Sequence, residues 1–364
     1  MNVQDVIDIL EEIAPLSYSE SFDNTGLLVG DAQQKVSGIL VTLDTLEEVI
    51  DEAIENNCNL IVSFHPIIFS GLKSITGKNY VERTVLKAIK NDIAIFAIHT
   101  ALDNNWLGVN HGICERLGLK KIRSLIPQKH SIEKLITFVP KAQADKVRNA
   151  LFTAGAGGIG NYDHCSFNID GTGTFKPGED SNPALGSIGQ LHKESEVQIG
   201  VTFGRHLRGK VLKALFESHP YEEVAYEVYQ LENSNQHLGM GMLGEWEEPK
   251  LEKDFLSFVK EKMQTDCIRH TQLTGQPIKK VAVLGGSGSF AIGAAIRSGA
   301  QAFITADLKY HEFYQAEKRI LLADIGHYES EQFTKELLVS VLSKKIRNFA
   351  IVLSQVNTNP ITYF

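Results

Sequence analysis

The chain has 364 residues, 43% hydrophobic and 22% charged, with a formal net charge of −8. That length exceeds what one compact core holds and implies two or three domains, while the composition excludes a disordered or fibrous protein. Lys and Arg are scattered within an acidic balance, so no basic stripe tracks phosphates and nucleic acid is not an expected partner.

In chain order, VQDVIDILEEIAP reads as an amphipathic helix with Val3, Ile7, Leu10 and Ile13 on one face. Its acidic residues, and the lack of a basic start or apolar h-region, argue against a signal peptide. SGILVTLD (37–44) reads as a strand, TLEEVIDEAIENN as a helix, NLIVSF as a strand, YVERTVLKAIKN as a helix and IAIFAIH (93–99) as a strand. This alternation predicts a parallel sheet covered by helices. From about 130 to 233 the rhythm changes to β-α-β-β-α-β: EKLITFVP, KAQADKVRNALFTAG, HCSFNID, EVQIGVTF, RHLRGKVLKALFESHP and EEVAYEVYQL. That order is the ferredoxin-like pattern and marks an inserted domain. Within it GAGGIGN (155–161) reads as turns, and GTGTFKPGEDSNPALG (171–186) as a mobile loop.

From about 278 the first scheme returns. KKVAVL, AFITAD and RILLADIGH are strands, SFAIGAAIRSG, KYHEFYQAEK and ESEQFTKELLVSVLSKKI are helices, and FAIVLSQV is a closing strand. The two series resemble an internal repeat. The third strand of each runs into a histidine followed four residues later by an acid, His99 to Asp103 and His327 to Glu331. His65 follows Ile39 at the offset at which Asp307 follows Val281. No apolar run reaches the length of a membrane span. The cysteines Cys58, Cys114, Cys165 and Cys267 form no CxxC pair, which fits a reducing cytosol, so a cytoplasmic protein is expected.

His327 and Glu331, at i and i+4, would share one face of a helix beginning near Tyr328 and could chelate one ion; a capped or solvated helix start is the plainer reading. HTALDNNW reads as a polar loop carrying His99 and Asp103, and His65 ends the strand before it. Each histidine alone reads more simply as a structural residue. Their joint placement at carboxyl strand ends, with carboxylates and without thiolates, favours a site for Zn, Mn, Fe or Mg. A rival lies in VLGGSGSFA, where Gly286-x-Gly288-x-x-Ala291 opens a helix as a dinucleotide loop would, with Asp307 as the ribose-binding acid. A tight turn beside the metal is the simpler role for those glycines.

FDNTGLLVGD, FHPIIF, HTALD, ITADLKYHE and GHYESE, in that order, resemble the motifs of the GTP cyclohydrolase 1 type 2 homologue family, also called Nif-three-like proteins. GAGGIGNYDHCSF and HPYEEVAYEV resemble the extra domain of its long bacterial members. The resemblance implies two related α/β halves, residues 1–128 and 236–364, forming one domain interrupted by a ferredoxin-like α+β insertion at 129–235. It further implies a toroidal homohexamer, a small-molecule substrate and one or two divalent ions per chain. The ligands it implies are His65, Asp103, His327 and Glu331, with Glu331 bridging, His65 and Asp103 on one ion and His327 on the other. His99 and His311 would make second-layer or substrate contacts. The family has two consecutive histidines where this chain has Phe64-His65, and Phe64 cannot ligate. The activity implied is metal-dependent hydrolysis of a nucleotide or phosphoester; a non-catalytic metal-binding scaffold with a sensing insert is the alternative.

Overall fold

Short β-branched and aliphatic runs, buried on both faces, make the central strands, as parallel strands under helices require. In chain order the strands are β1 (Gly26–Val29), β2 (Ile39–Thr42), β3 (Leu60–Ser63), β4 (Ala94–Ala97) and β5 (Lys120–Gln128). Next come β6 (Ile132–Pro140), β7 (Phe167–Phe175), β8 (His192–Gly204), β9 (Tyr226–Gln230) and β10 (Asn235–Lys250). The last are β11 (Arg269–His270), β12 (Ile278–Ser287), β13 (Ala302–Ala306), β14 (Leu321–Asp324) and β15 (Ile351–Leu353). The computed structural model describes residues 1–364 and separates them into two units, Met1–Pro127 with Gln236–Phe364, and Gln128–Asn235.

The first unit holds two mixed sheets. One has the order β1-β4-β3-β2-β15, with β15, β2, β3 and β4 parallel and β1 antiparallel on β4. The other has the order β11-β14-β13-β12-β10-β5, with β12, β13 and β14 parallel and β11 and β10 antiparallel on their flanks. Each sheet therefore carries three parallel strands in sequence order, with an antiparallel strand beyond the third. Alternate residues of these strands go to different cores. Val41, Val62 and Phe96 of the first sheet join Val281, Val283 and Ile304 of the second in one cluster. Leu40, Ile61 and Ile95 face their own helices, as do Ala282, Phe303 and Leu322. The closing strand β15 belongs to the first sheet, pairing Ile351 with Ile39.

The second unit is one antiparallel sheet in the order β7-β8-β6-β9, with the helices Ala144–Thr153 and Arg208–Ser218. Its core gathers Leu135, Val147, Ile199, Val211 and Leu215.

Four expectations are corrected. His99–Asn104 is a helix rather than a polar loop, because Thr100 to Asn104 are all buried and tied down by side-chain hydrogen bonds. Gly171–Phe175 belongs to β7, paired along its length with Glu196–His192 of β8, so the loop begins only after Phe175. The expected single helix after β14 is two, His327–Glu331 and Thr334–Lys345, and the segment Tyr310–Ala316 is a 3-10 turn.

Candidate metal centre

Parallel strands that end at one edge deliver their next residues to one place. Beyond β3 the chain passes Phe64 to His65, whose amide donates to the Leu43 carbonyl at 2.9 Å. Beyond β14, Gly326 at φ 92° turns the chain into the helix His327–Glu331. The i, i+4 spacing places His327 Nε2 3.1 Å from Glu331 Oε2, and His65 Nε2 lies 3.1 Å from that same oxygen. The two imidazole centroids are 5.3 Å apart. One donor atom from each of the three residues lies within 4.8 Å of the other two.

The far nitrogen of each ring is fixed by a carboxylate. His65 Nδ1 bonds Asp44 Oδ1 at 2.8 Å, and His327 Nδ1 bonds Asp307 Oδ2 at 2.6 Å. Such a partner orients an imidazole and leaves its Nε2 as the ligating atom. The partners are themselves anchored, Asp44 by Thr358 Oγ1 at 2.7 Å and Asp307 by the Ser287 hydroxyl. Asp307 holds φ 57°, a left-handed conformation that Asp tolerates better than most residues. The sequence offers Asp44 only as the end of the SGILVTLD segment and Asp307 only as the ribose-binding acid of a dinucleotide loop; the structure makes both the partners of imidazoles.

Gly286 makes room for Glu331. A Cβ on Gly286 would lie 2.4 Å from Glu331 Oε1, and its φ of +65° also favours glycine. Its amide donates to Ser330 Oγ at 2.9 Å, and the Gly285 amide donates to Asn110 Oδ1 at 3.0 Å. Two amides of the glycine turn are thus engaged within the protein rather than by a pyrophosphate.

Burial opposes charge on His65, but Asp44 and Glu331 outweigh it and raise the imidazole to about 10. Against the same burial, Asp307 and Glu331 raise His327 to about 11. Burial would raise Glu331 as well, yet the two imidazoles hold it well below the usual carboxylate range. Asp103 goes the other way, raised by burial first and by the charge of Glu331 second. Three buried polar atoms here, His65 Nε2, Asp103 Oδ1 and Glu331 Oε2, make no hydrogen bond of acceptable geometry. Unpartnered buried donors and acceptors are costly, and converging ones suit a cation. Two imidazoles with a carboxylate are a borderline-hard donor set, which fits a divalent transition metal or zinc.

These residues line a cavity of about 610 Å³ together with Asp103, His99, Phe22, Phe69, Tyr80 and Phe290. Asp103 thus reaches the cavity without joining the cluster of three. His99 stands beside it, 5.2 Å from His65 between centroids, with Nδ1 bonded to Asp23 Oδ1 at 2.8 Å. His311 is not among the lining residues; its ring contacts Tyr310 and Tyr314. Phe64 is fully buried in the core and meets the His99 ring edge-on.

The profile of the family described as Duf34/NIF3 (NGG1p interacting factor 3) matches residues 1–360. Proteins called GTP cyclohydrolase 1 type 2 homolog from Bacillus subtilis and Halalkalibacterium halodurans are 38% and 40% identical over 369 and 367 residues, covering 100% of this chain and 99% of each relative. A solved Bacillus cereus protein related to NIF3 is 37% identical, with a TM-score of 0.88 over 100% of this chain and 99% of that one. A Staphylococcus aureus structure gives 30% and 0.79 over the same shares. With agreement along its whole length in both sequence and structure, the chain belongs to the Duf34/NIF3 family.

Proposed function

We propose that the protein is a metal-dependent hydrolase acting on a nucleotide or phosphoester. The observation that carries this reading is the meeting of His65 Nε2 and His327 Nε2 at one buried oxygen of Glu331. These three residues would hold a divalent ion, Zn, Mn, Fe or Mg, with Asp103 adding a further carboxylate beside it. When bound, such an ion supplies an acidified water and a Lewis acid for a substrate oxygen. The chain's own residues do the rest. Asp44 and Asp307 hold the imidazoles in place. The cavity wall presents the exposed aromatic rings of Phe22, Phe69, Tyr80 and Phe290, faces on which a base can stack. A nucleotide substrate is compatible with the name that the relatives carry.

Gathering of the donors about one point supports one ion, and a second would depend on Asp103. The βαββαβ order and antiparallel sheet of Gln128–Asn235 support a ferredoxin-like inserted domain. We extend the reading to a cytoplasmic homohexamer, to be checked by light scattering. No helix is long and apolar enough to cross a membrane, and all four cysteines are free.

Elemental analysis of protein purified without added metal, beside Glu331→Ala, tests the centre. About one ion per chain, lost in the variant, is expected; about two would place Asp103 on a second ion. Hydrolysis of a nucleotide and phosphoester panel with each metal should then vanish in Glu331→Ala. No ion in either protein after soaking with Zn or Mn would refute the metal. An ion without turnover on any substrate would leave a metal-binding scaffold.

A further inference from the structure

The second unit contains a cavity of about 680 Å³ that the metal centre does not use. It lies on the sheet face opposite the helices. Val197 and Ile199 of β8 enter the core beneath the helices, so the alternate residues Glu196 and Gln198 point the other way. There Gln198 pairs with Phe138 and Ile169, and Glu196 with Gly171. The segment after β7 closes the space. Gly189 N–H donates to Pro177 O at 2.9 Å, and Asn182 N–H donates to Glu222 Oε1 at 2.8 Å.

Glu196 is 8% exposed, and its Oε1 accepts from the Tyr221 hydroxyl at 2.8 Å. Its Oε2 accepts no hydrogen bond. The carboxylate rests on β7 where the chain has no side chain, for a Cβ at Gly173 would lie 2.1 Å from that oxygen. That oxygen keeps access to the cavity, where a positive or donating group can meet it. Glu222 and Glu223 against Lys176 make up the rest of the ionisable lining on this face, since Asp170 pairs with Val197 on the other face and bonds Lys141 Nζ at 3.0 Å. Aromatic walls complete it, with Phe175 and Tyr221 edge-on at 5.7 Å between centroids and Phe138 nearby.

The volume falls in the range of small-molecule sites, and buried carboxylate with aromatic faces is the chemistry that holds organic cations. A divalent ion would want several free oxygens at one point, whereas Glu196 offers one amid carbon. We propose that this cavity binds a small organic cation, an alkylammonium or guanidinium compound, with its charge on Glu196 and its carbon frame against Phe138, Phe175 and Tyr221. The second unit would then sense a ligand chemically unrelated to the metal centre.

Isothermal titration of the full chain with agmatine and putrescine tests this, with 1,4-butanediol as the uncharged counterpart. Saturable binding of at least one cation, and none of the diol, is expected. Glu196→Gln keeps the shape and the Tyr221 bond, and should weaken binding roughly tenfold or more. Gly173→Ala should displace the carboxylate and do the same, with circular dichroism verifying its fold. Glu331→Ala should bind as the parent does. Failure of both cations to bind, equal binding of the diol, or binding that survives Glu196→Gln would overturn the proposal. So would loss of binding in Glu331→Ala, which would put the cation in the metal centre.

Discussion

His65 and His327 reach Glu331 in one orientation because Asp44 and Asp307 grip their far nitrogens, and Thr358 grips Asp44 in turn. Replacing such an outer partner commonly weakens metal binding by about 10–100-fold while leaving the ligands intact. Asp44→Asn is therefore expected to raise the zinc dissociation constant by about that factor, and Thr358→Val by less, in competition titrations against a chromophoric chelator. Affinity unchanged in Asp44→Asn would mean that strand geometry alone positions His65. Of the candidates, the structure gathers His65, His327 and Glu331, which stand out in the sequence as a histidine at a strand end and a histidine–acid pair at helical spacing. Their partners do not, since which carboxylate meets which imidazole depends on contacts such as Thr358 with Asp44, made across almost the whole chain.

The helix Tyr80–Lys90 brings Tyr80 to the cavity, and its start is held by a buried carboxylate. Glu82 accepts from the Thr76 and Lys78 amides at 2.8 and 3.1 Å and from the Thr76 and Ser74 hydroxyls. The backbone bonds first, and then the hydroxyls, hold it at about 2, against the usual 4.5. Because the folded value is depressed, this stability is present above pH 4.5 and is lost as pH falls toward 2. Urea melts should find Glu82→Gln less stable than the parent at pH 7, with the gap narrowing below pH 4.5 and closing only near pH 2. A gap independent of pH would assign the loss to packing. Elements built from apolar periodicity were readable: β2, β3, β4, β13 and β14 fall where their hydrophobic runs lie. Several others were missed or cut short, two of them for opposite reasons. The helix His99–Asn104 is buried through polar side chains that carry no apolar pattern. In β7, Gly171 and Gly173 read as turn residues, whereas Gly173 makes room for the Glu196 carboxylate.

All the proposed ligands lie in the first unit, and the second has a hydrophobic core of its own. A ligand that binds only folded protein stabilises it by mass action, about 2.7 kcal/mol at a hundredfold excess over its dissociation constant. Calorimetry should resolve two transitions, with chelator lowering one and leaving the other in place; a single transition shifting as a whole would mean that the units unfold together. The pairing of β15 with β2 has a consequence for how the chain is made. β2 is made early, yet the strand that covers its free edge emerges only after residue 350, and the donors of His327 and Glu331 only shortly before. The second unit is complete well ahead of them, and units generally fold as they emerge. On the ribosome the order of events is thus inverted relative to the numbering. The second unit matures first, β2 waits with an open strand edge, and the proposed metal centre cannot form until Glu331 has been translated.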